Sequence, residues 1–206
     1  MSFIRKFTRR DLVFAIGTGL ITGVIASRIF IFLGTPEFFG FPWSGLIVLV
    51  PILWILGVLL GYFLGQWFKF FEQFGRFAAI GFTNASVDFG VLNLEIALSG
   101  LAFGPTYPFF KAISFICATC SSYVWNKYWT FNAGRSRGGF KEFGKFFATA
   151  IVAFIVNVAV ASSVVNFIHP ILGVNAHVWA NLSAVAGSAA GLVFSFVGFK
   201  KAVFKA

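Results

Sequence analysis

The segment that decides the fold is residues 44–65, which read SGLIVLVPILWILGVLLGYFLG. It contains no charged side chain. A hydrocarbon core of about 30 Å needs roughly 20 apolar residues at a rise of 1.5 Å each, and the segment is long enough to cross it as a helix. A membrane strand would need only about 10 residues and would alternate between polar and apolar positions. The segment is therefore predicted to be a transmembrane helix.

The composition of the whole chain extends this interpretation. Of its 206 residues, 59% are hydrophobic and 11% are charged, whereas a soluble domain has about 25% charged residues. Hydropathy gives six runs long enough to span a bilayer, near residues 12–32, 44–65, 77–97, 109–129, 146–168 and 178–199. We predict an all-α polytopic integral membrane protein with six transmembrane helices. The first run exceeds the roughly 7 to 15 apolar residues of a signal peptide, so we retain it as a span.

The net charge of +10 is arranged in a way that indicates membrane topology. Fourteen of the sixteen Lys and Arg residues fall before span 1, between spans 2 and 3, between spans 4 and 5, or after span 6. Only Arg28 and Lys111 fall toward the other side. Because basic loops remain in the cytoplasm, we predict a multi-pass protein of the inner (plasma) membrane with both termini in the cytoplasm. No nucleic-acid partner is expected.

No pattern of metal ligands or nucleophiles indicates catalysis. Cys117 and Cys120 lie inside span 4, where a redox or zinc site would need solvent access and further ligands, so we interpret them as small packing residues. His169 and His177 share an outer loop without co-ligands, and no nucleotide-binding loop is present. We therefore expect no cofactor, no metal, no catalytic residues and no enzymatic activity.

Spans 3 to 6 contain an internal repeat. Matching positions recur in order at offsets of 69 or 73 residues: 75–77 (Gly-Arg-Phe) and 144–146 (Gly-Lys-Phe), Asp88 and Asn157, Lys127 and Lys200, Phe131 and Phe204. Each copy has two spans, so the copies share one orientation, and we expect them to superpose by rotation about the membrane normal. The chain then divides into an N-terminal transmembrane hairpin, 1–70, and a four-helix membrane domain, 71–206.

Small residues form a face on two of the predicted helices. They are Gly57, Gly61 and Gly65 in span 2, and Gly187, Gly191 and Ser195 in span 6. Small residues at this spacing let another helix approach closely. We interpret both faces as packing seams rather than substrate contacts.

Polar residues within span 3 form the first candidate site. Asp88 is the acidic side chain nearest mid-membrane, where a charge costs about 2.5 to 3.5 kcal/mol on insertion scales, so it is expected to face protein or a wet cavity. Asn84 lies one turn before it and Glu95 about two turns after it, on the same face. This stripe can bind sugar hydroxyls or carry a proton. The alternative is a protonated Asp88 hydrogen-bonded to Asn157 as interhelical glue.

Basic residues at the cytoplasmic ends of the repeated helices form the second candidate site. They are Arg76, Lys127, Lys145 and Lys200. Charge-assisted hydrogen bonds from these residues can hold a phosphate or pyrophosphate headgroup. The alternative is that they serve topology and attract anionic lipid only.

Two further groups complete the candidates. Trp125 and Trp129 are expected in an interfacial belt or as a platform for a sugar. Lys111 begins span 4 on the outer side, where it can pair with Glu95, and Arg28 extends outward in the same leaflet.

Two patterns in residues 71–206 carry a family resemblance. The first helix contains Arg76-Phe77 with Gly81, Asn84 and Asp88, and the second ends in the motif NKYWTF at 126–131. In these features the chain resembles the GtrA-like family of small four-helix membrane proteins. The second copy departs from the pattern by having Phe199 for Asn126, Ala202 for Trp129 and Asn157 for Asp88. Residues 1–70 lie outside the usual four-helix core of that family.

The resemblance implies a role in cell-surface polysaccharide synthesis. Proteins of this family are proposed to translocate polyprenyl-phosphate-linked sugars, or to be membrane partners of the enzymes that make such lipids. The substrate-binding candidates are Asn84, Asp88, Asn126, Lys127, Asn157, Arg76, Lys145, Lys200, Trp129 and Lys111. We expect a translocase (flippase) or a subunit of one.

Two other functions remain open from the sequence. The first is a non-transporting scaffold that docks a membrane glycosyltransferase through the basic segment 126–145, and the second is a proton-coupled solute transporter that uses Asp88. Because a six-helix chain with 31 Phe residues encloses little volume, we expect a homo-oligomer or a lateral groove rather than a broad pore.

The charge asymmetry generates a testable topology. With six crossings and both termini inside, Thr35 and Pro105 lie on the outer side of the membrane. A cysteine introduced as Thr35→Cys or Pro105→Cys is expected to react with a membrane-impermeant thiol reagent added outside intact cells. Labelling only from the cytoplasmic side would contradict the topology.

Overall fold

A computed structural model describes residues 4–37, 39–101, 106–135, 138–168 and 176–204. These residues form six α-helices, α1 (Arg9–Phe32), α2 (Leu46–Leu64), α3 (Phe70–Ser99), α4 (Tyr107–Trp125), α5 (Gly139–Phe167) and α6 (Ala176–Gly198). Short 3-10 segments cover Ile4–Lys6 and Trp43–Gly45. Pro105, Arg137, His169 and Lys205 lie outside the described residues, as do the side chains of Arg5, Lys111 and His177.

Two π-helical segments extend the helices of the predicted repeat. The first π turn (Asn126–Thr130) continues α4, and the second π turn (Phe199–Val203) continues α6. Each of the six predicted spans coincides with one helix. The helices α3 and α5 begin well before residues 77 and 146, because their first turns carry charged residues that hydropathy assigns to water.

The helices have the surface of a membrane protein. Within the described residues, the helices Arg9–Phe32, Trp43–Leu64 and Gly139–Val164 are long and apolar enough to cross a membrane by length and composition. Large apolar side chains such as Leu98 and Phe167 are 80% and 83% exposed. A water-soluble monomer rarely exposes contiguous apolar surface of this extent, whereas lipid accommodates it. The protein is an all-α polytopic membrane protein, as its sequence predicts.

The chain forms two compact units, residues 1–132 and 133–206. Unit 1 contains α1 to α4 with the first π turn, and α3 packs against α1, α2 and α4. Unit 2 contains α5 packed against α6 with the second π turn. The N-terminal hairpin α1–α2 is therefore integrated with the first copy of the repeat. The predicted domain boundary near residue 70 remains a prediction.

The core of unit 1 lies where α1, α2 and α3 meet. Its buried residues include Ala15, Val58, Tyr62, Ala79, Ile80 and Trp129. Buried hydroxyls in this region are hydrogen-bonded: Thr22 Oγ1 lies 3.0 Å from Thr83 Oγ1, and the Trp54 indole N–H donates to Thr83 over 3.2 Å. These bonds satisfy polar groups that would otherwise destabilise a buried interface.

Glycine determines how closely α2 approaches α3. A Cβ on Gly61 would lie 2.8 Å from the Phe71 carbonyl oxygen and 3.1 Å from the Gly75 Cα. A Cβ on Gly57, one turn earlier on the same helix, would meet open space. In unit 2, a Cβ on Gly191 would lie 2.9 Å from the Ala153 carbonyl oxygen of α5. The interpretation of both faces as packing seams is confirmed at Gly61 and Gly191.

Backbone features recur between the two hairpins at the offsets found in the sequence. The helices α3 and α5 begin 69 residues apart, at Phe70 and Gly139. The two π turns begin 73 residues apart, and each closes with an i to i+5 hydrogen bond, Phe131 N to Asn126 O at 3.0 Å and Phe204 N to Phe199 O at 2.8 Å. Since π-helical turns are rare, their recurrence at one offset supports the duplication.

Side-chain contacts recur in the same way within each hairpin. Phe77 and Phe131 lie 6.4 Å apart at 57°, and their counterparts Phe146 and Phe204 lie 5.9 Å apart at 56°. The Lys127 and Lys200 ammonium groups lie 5.5 Å and 5.8 Å from the ring centroids of Tyr123 and Phe196, respectively. Asp88 and Asn157 each bond a serine of the other helix in their hairpin, Ser114 at 2.6 Å and Ser188 at 3.4 Å, although these serines lie 74 residues apart and are therefore not equivalent positions.

The glycine seam gives a matched pair of substitutions. Gly61→Ala places a methyl group against backbone atoms of α3, so we expect it to destabilise unit 1 by about 1 to 3 kcal/mol. Gly57→Ala enters open space in the same helix and is expected to be neutral or slightly stabilising. Thermal unfolding of the purified protein in detergent measures both. Equal midpoints for the two variants would show that α2 and α3 are not in close contact at Gly61.

Candidate functional site

A buried carboxylate lies where α1 begins. Thr8 and Asp11 form a capping box, in which the Asp11 N–H donates to Thr8 Oγ1 over 3.2 Å and the Thr8 N–H donates to Asp11 Oδ2 over 3.0 Å. Such a box satisfies the free N–H groups of a first helical turn. Asp11 is nevertheless only 2% exposed, which is unusual for a capping residue and requires further partners.

The further partners of Asp11 come from three other segments. The Trp129 indole N–H of the first π turn donates to Asp11 Oδ1 over 3.0 Å, and the Tyr62 hydroxyl of α2 donates to Asp11 Oδ2 over 3.0 Å. Arg76 of α3 forms an ion pair with Asp11 Oδ1 at 3.7 Å. We call Thr8, Asp11, Tyr62, Arg76 and Trp129 the carboxylate cluster. It connects α1, α2, α3 and the first π turn at one end of unit 1.

Arg76, a predicted phosphate ligand, is committed to this cluster. Its Nη1 also donates to the Trp129 carbonyl oxygen over 3.3 Å, and its guanidinium lies 5.8 Å from the Tyr62 ring centroid. Its side chain is 18% exposed, and the Nε atom is buried without a hydrogen-bond partner among the described residues. Arg76 is therefore paired with a carboxylate, and its Nε–H is a buried donor that no described residue accepts.

The first π turn contains the first five residues of the NKYWTF motif, and Phe131 follows it. Asn126 and Thr130 are both 1% exposed. The Asn126 amide NH₂ donates to Ser122 O over 2.9 Å, whereas Asn126 Oδ1 and Thr130 Oγ1 have no hydrogen-bond partner in the described part of the chain. Lys127 is 8% exposed, and its Nζ lies 3.2 Å from the Tyr123 hydroxyl. The turn thus places polar groups in the protein interior.

The residues of the predicted belt are Trp125, at the end of α4, and Trp129, in the first π turn. Trp129 is 1% exposed and stacks on Phe14 of α1 at a centroid distance of 5.7 Å, so neither ring face is open to headgroups or to a sugar. Trp125 is partly buried, contacts the edge of Phe14 and donates to Ser121 Oγ over 3.1 Å. The belt interpretation of Trp129 is wrong because Asp11 holds its indole N–H inside unit 1.

Buried polar atoms without a hydrogen-bond partner lie along one side of α3. Buried atoms without partners among the described residues belong to Gln73, Arg76, Asn84 and Glu95. At about 100° per residue these residues and Asp88 lie within a sector of about 120°. The Ser114 hydroxyl donates to Asp88 Oδ1. The predicted stripe of Asn84, Asp88 and Glu95 therefore continues to the carboxylate cluster.

The predicted site residues of the second copy all lie in unit 2. Lys145 and Lys200 are exposed, and Asn157 donates to Ser188 across the α5–α6 hairpin. Asp88 accepts a hydrogen bond from Ser114 and Asn157 donates one to Ser188, each within its own hairpin, and the predicted bond between Asp88 and Asn157 stays a prediction. Lys111 lies in α4, but its side chain is outside the described part, so its predicted pairing with Glu95 stays a prediction.

Comparison with known proteins bears on the same region. The family described as "GtrA/DPMS, transmembrane domain" matches residues 76–204, which is more than half of the chain. The chain belongs to this GtrA/DPMS family. The match includes both hairpins of the repeat and begins at Arg76, so α1, α2 and Asp11 lie before the matched region.

One curated relative supports the assignment. "Uncharacterized membrane protein YngA" of Bacillus subtilis (strain 168) is 31% identical to the chain over 133 residues, which is 65% of this chain and 80% of that protein. No solved structure matches the chain. The chain is thus a membrane protein of the GtrA/DPMS family with an additional helical hairpin packed on its first repeat.

A groove lies between this additional hairpin and the first helix of the GtrA/DPMS domain. A cavity of about 540 Å³ lies between α1 and α3, lined by apolar side chains together with Arg28, Gly90 and Asn93. It lies toward the ends of α1 and α3 that are remote from the carboxylate cluster. The Asn93 amide donates to the Phe89 carbonyl oxygen, and Arg28 is exposed. The expectation of a homo-oligomer or a lateral groove for a lipid stays a prediction.

Sequence reasoning missed the residue at the centre of the carboxylate cluster. Neither Asp11 nor Tyr62 is among the candidate residues predicted from the sequence. A usable signal was present, because Thr8-x-x-Asp11 directly before an apolar run is a capping-box pattern. The same pattern places a lone acidic residue among Arg9, Arg10 and the other basic residues of the N-terminus.

The carboxylate cluster predicts a large loss of stability on substitution. Asp11→Ala leaves the Arg76 charge and the Tyr62 and Trp129 donors without their acceptor, so we expect a loss of about 3 to 5 kcal/mol. Glu72→Gln is the matched control. The Glu72 side chain is 25% exposed and its ion-pair partner Lys6 is 45% exposed, so we expect this pair to contribute less than about 1 kcal/mol to stability. Unfolding by SDS in mixed micelles compares them. A similar small loss in both variants would refute the cluster.

Proposed function

We propose that the protein is a translocase (flippase), or a subunit of one, for polyprenyl-phosphate-linked sugars used in cell-surface polysaccharide synthesis. On this proposal it lies in the inner (plasma) membrane with both termini in the cytoplasm, and the chemistry is performed by a separate glycosyltransferase. Membership of the GtrA/DPMS family supports the proposal. The main observation behind the proposal is that the first copy of the repeat contains several buried polar atoms without a hydrogen-bond partner among the described residues.

The distribution of these atoms supports a path for a polar headgroup. Among the described residues, every buried side-chain atom without a partner lies on α3 or on the first π turn, in Gln73, Arg76, Asn84, Glu95, Asn126 and Thr130. Each such atom destabilises the fold by about 1 to 3 kcal/mol. Sugar hydroxyls of a passing headgroup would donate to the oxygens of Gln73, Asn84, Glu95 and Asn126, whereas phosphate oxygens would accept only from Arg76 Nε and the Thr130 hydroxyl. Several weak sites in series suit transport, because a substrate must leave each site as readily as it enters.

The length of the path agrees with the thickness of a membrane. Arg76 and Glu95 are separated by about 28 Å along α3 at 1.5 Å per residue. The hydrocarbon core is about 30 Å thick. Asn84 and Asp88 lie between them, so a polar group moving along α3 meets a hydrogen-bonding partner at several depths. No single step then requires the headgroup to cross the apolar core unaided.

The prenyl tail does not need to be enclosed by so small a protein. It remains in lipid while the headgroup moves, and the groove between α1 and α3 offers it an apolar surface on unit 1. The predicted basic residues Arg76, Lys127, Lys145 and Lys200 would attract the phosphate at the cytoplasmic side. Arg28 and Lys111 would receive it on the outer side. An ionised Asp88 would repel phosphate, so we assign Asp88 to the sugar hydroxyls.

A scaffold for a glycosyltransferase is the second candidate. Phe140 is 95% exposed and is followed by the exposed Lys141, with Arg135 exposed on the same segment. An apolar ring flanked by cations is a feature of a docking surface. On this alternative the segment 126–145 binds the enzyme, and the polar atoms of α3 serve assembly only.

Transfer between leaflets tests the translocase directly. The purified protein is placed in liposomes with a labelled polyprenyl-phosphate sugar, and movement between leaflets is followed. Asp88→Asn keeps a hydrogen-bonding side chain and is expected to retain activity in part. Asp88→Leu and Lys127→Ala each remove a charged or hydrogen-bonding group and are expected to reduce transfer roughly tenfold or more. Lys141→Ala, at an exposed lysine that belongs to neither α3 nor the first π turn, is the control and should transfer normally.

The outcomes separate the two candidate functions. If the folded parent protein transfers no lipid, the scaffold replaces the translocase. If the parent transfers lipid and the Asp88 and Lys127 variants match it, these residues serve packing and topology, and the path along α3 is wrong.

A further inference from the structure

The two π turns occupy equivalent positions in the two copies of the repeat, so their side chains can be compared directly. At the offset of 73 residues, Asn126 of the first turn corresponds to Phe199 of the second, and Thr130 corresponds to Val203. All four side chains are buried, at 1%, 4%, 1% and 7% exposure, respectively. The same two interior positions are therefore polar in the first copy and apolar in the second.

The second turn shows what the backbone requires at these positions. Phe199 stacks on Phe146 of α5 with ring centroids 4.0 Å apart, and the hydrogen bond from Phe204 N to Phe199 O closes the turn. The first turn closes with the equivalent bond from Phe131 N to Asn126 O. Apolar side chains are thus sufficient to build and fill the turn. Neither an asparagine nor a threonine is needed for its geometry.

The first turn holds polar atoms that the protein itself leaves unsatisfied. The carbonyl oxygen of Ser122 can only accept a hydrogen bond, so the Asn126 NH₂ must face it and Asn126 Oδ1 must face away. That oxygen and Thr130 Oγ1, one turn further along, have no partner among the described residues. Buried polar atoms without partners destabilise a fold, and apolar residues at these positions would remove that loss.

A third group reaches the same turn from α3. Arg76 Nη1 donates to the Trp129 carbonyl oxygen, next to Thr130, and Arg76 Nε is also without a partner in the described residues. The turn offers an acceptor, Asn126 Oδ1, and the Thr130 hydroxyl, which can donate or accept, while Arg76 of α3 offers a donor, its Nε–H. A phosphodiester has only acceptors and cannot satisfy Asn126 Oδ1. A sugar hydroxyl can satisfy all three types of group.

We propose that Asn126 and Thr130, with Arg76 Nε, form a binding site for sugar hydroxyls, and that the second copy has no counterpart at Phe199 and Val203. This inference rests on the proposed function and makes it more specific. Each chain then binds the sugar of the lipid headgroup at the first π turn. The phosphate is attracted by the positive charge of the basic residues and is not bound at these three atoms, and the second hairpin supplies the equivalent packing without a sugar site.

Reciprocal isosteric substitutions test the site. Thr130→Val removes the hydroxyl from the first turn, and Val203→Thr adds one at the matched position of the second. Binding of a short-chain prenyl-phosphate hexose, and of the same prenyl phosphate without the sugar, is measured by calorimetry on the full chain in detergent. We expect Thr130→Val to weaken the hexose probe about tenfold, as the loss of one hydrogen bond does, and to leave the sugar-free probe unchanged. Val203→Thr should change neither affinity.

Stability and a second variant keep the result interpretable. Thr130→Val removes an unsatisfied hydroxyl, so its unfolding temperature should equal or exceed that of the parent. Asn126→Leu, which removes the other unsatisfied atom, should also weaken only the hexose probe. Equal hexose binding by Thr130→Val and the parent, or equal weakening by Val203→Thr, would overturn the site and assign these atoms to ordered water.

The same measurements distinguish failure of the site from failure of the proposed function. Selective hexose binding that depends on Thr130, combined with no transfer in liposomes, would retain the sugar site and reject the translocase. Absence of binding by the parent to either probe would reject both.

Discussion

The rest of unit 1 depends on one buried carboxylate. Asp11 is 2% exposed in a protein that lies in lipid, where an unpaired charge is strongly unfavourable. It accepts hydrogen bonds from Thr8, Tyr62 and Trp129 and pairs with Arg76. Because these partners come from α2, α3 and the first π turn, satisfying one charge determines where four segments meet. The hairpin α1–α2 is attached to the GtrA/DPMS domain at this point.

This attachment changes how the family motif is understood. In isolation, a tryptophan and a lysine at the end of a transmembrane helix suggest contacts with the membrane interface. Here Trp129 is enclosed between Phe14 and Asp11, and Lys127 is 8% exposed beside Tyr123. Both residues are thus interior groups, and Trp129 connects the first repeat to the additional hairpin. Its other two polar members, Asn126 and Thr130, retain hydrogen-bonding capacity that no described residue uses.

The repeat combines a shared scaffold with different interiors. Both hairpins keep a π turn, a lysine over an aromatic ring and a pair of phenylalanines at equivalent places. The second copy has Ala202 where the first has Trp129, and Phe199 where the first has Asn126. Packing is therefore common to both copies, whereas the unsatisfied polar atoms of the described residues are confined to the first. A duplicated fold can retain its geometry in one copy while the other carries polar groups for a ligand.

The sequence by itself determined the fold class, the six helices, the repeat and the family, because hydropathy, charge placement and motif spacing are local properties of the chain. It also identified Asn84, Asp88 and Glu95 as one face of α3, since helical periodicity places them there. The tertiary structure alone decided that Asp11 is buried, that Arg76 pairs with it and that Trp129 is enclosed. These contacts join residues as far apart as Asp11 and Trp129. No local pattern specifies which distant donor will satisfy a buried carboxylate, because that choice depends on how the helices pack.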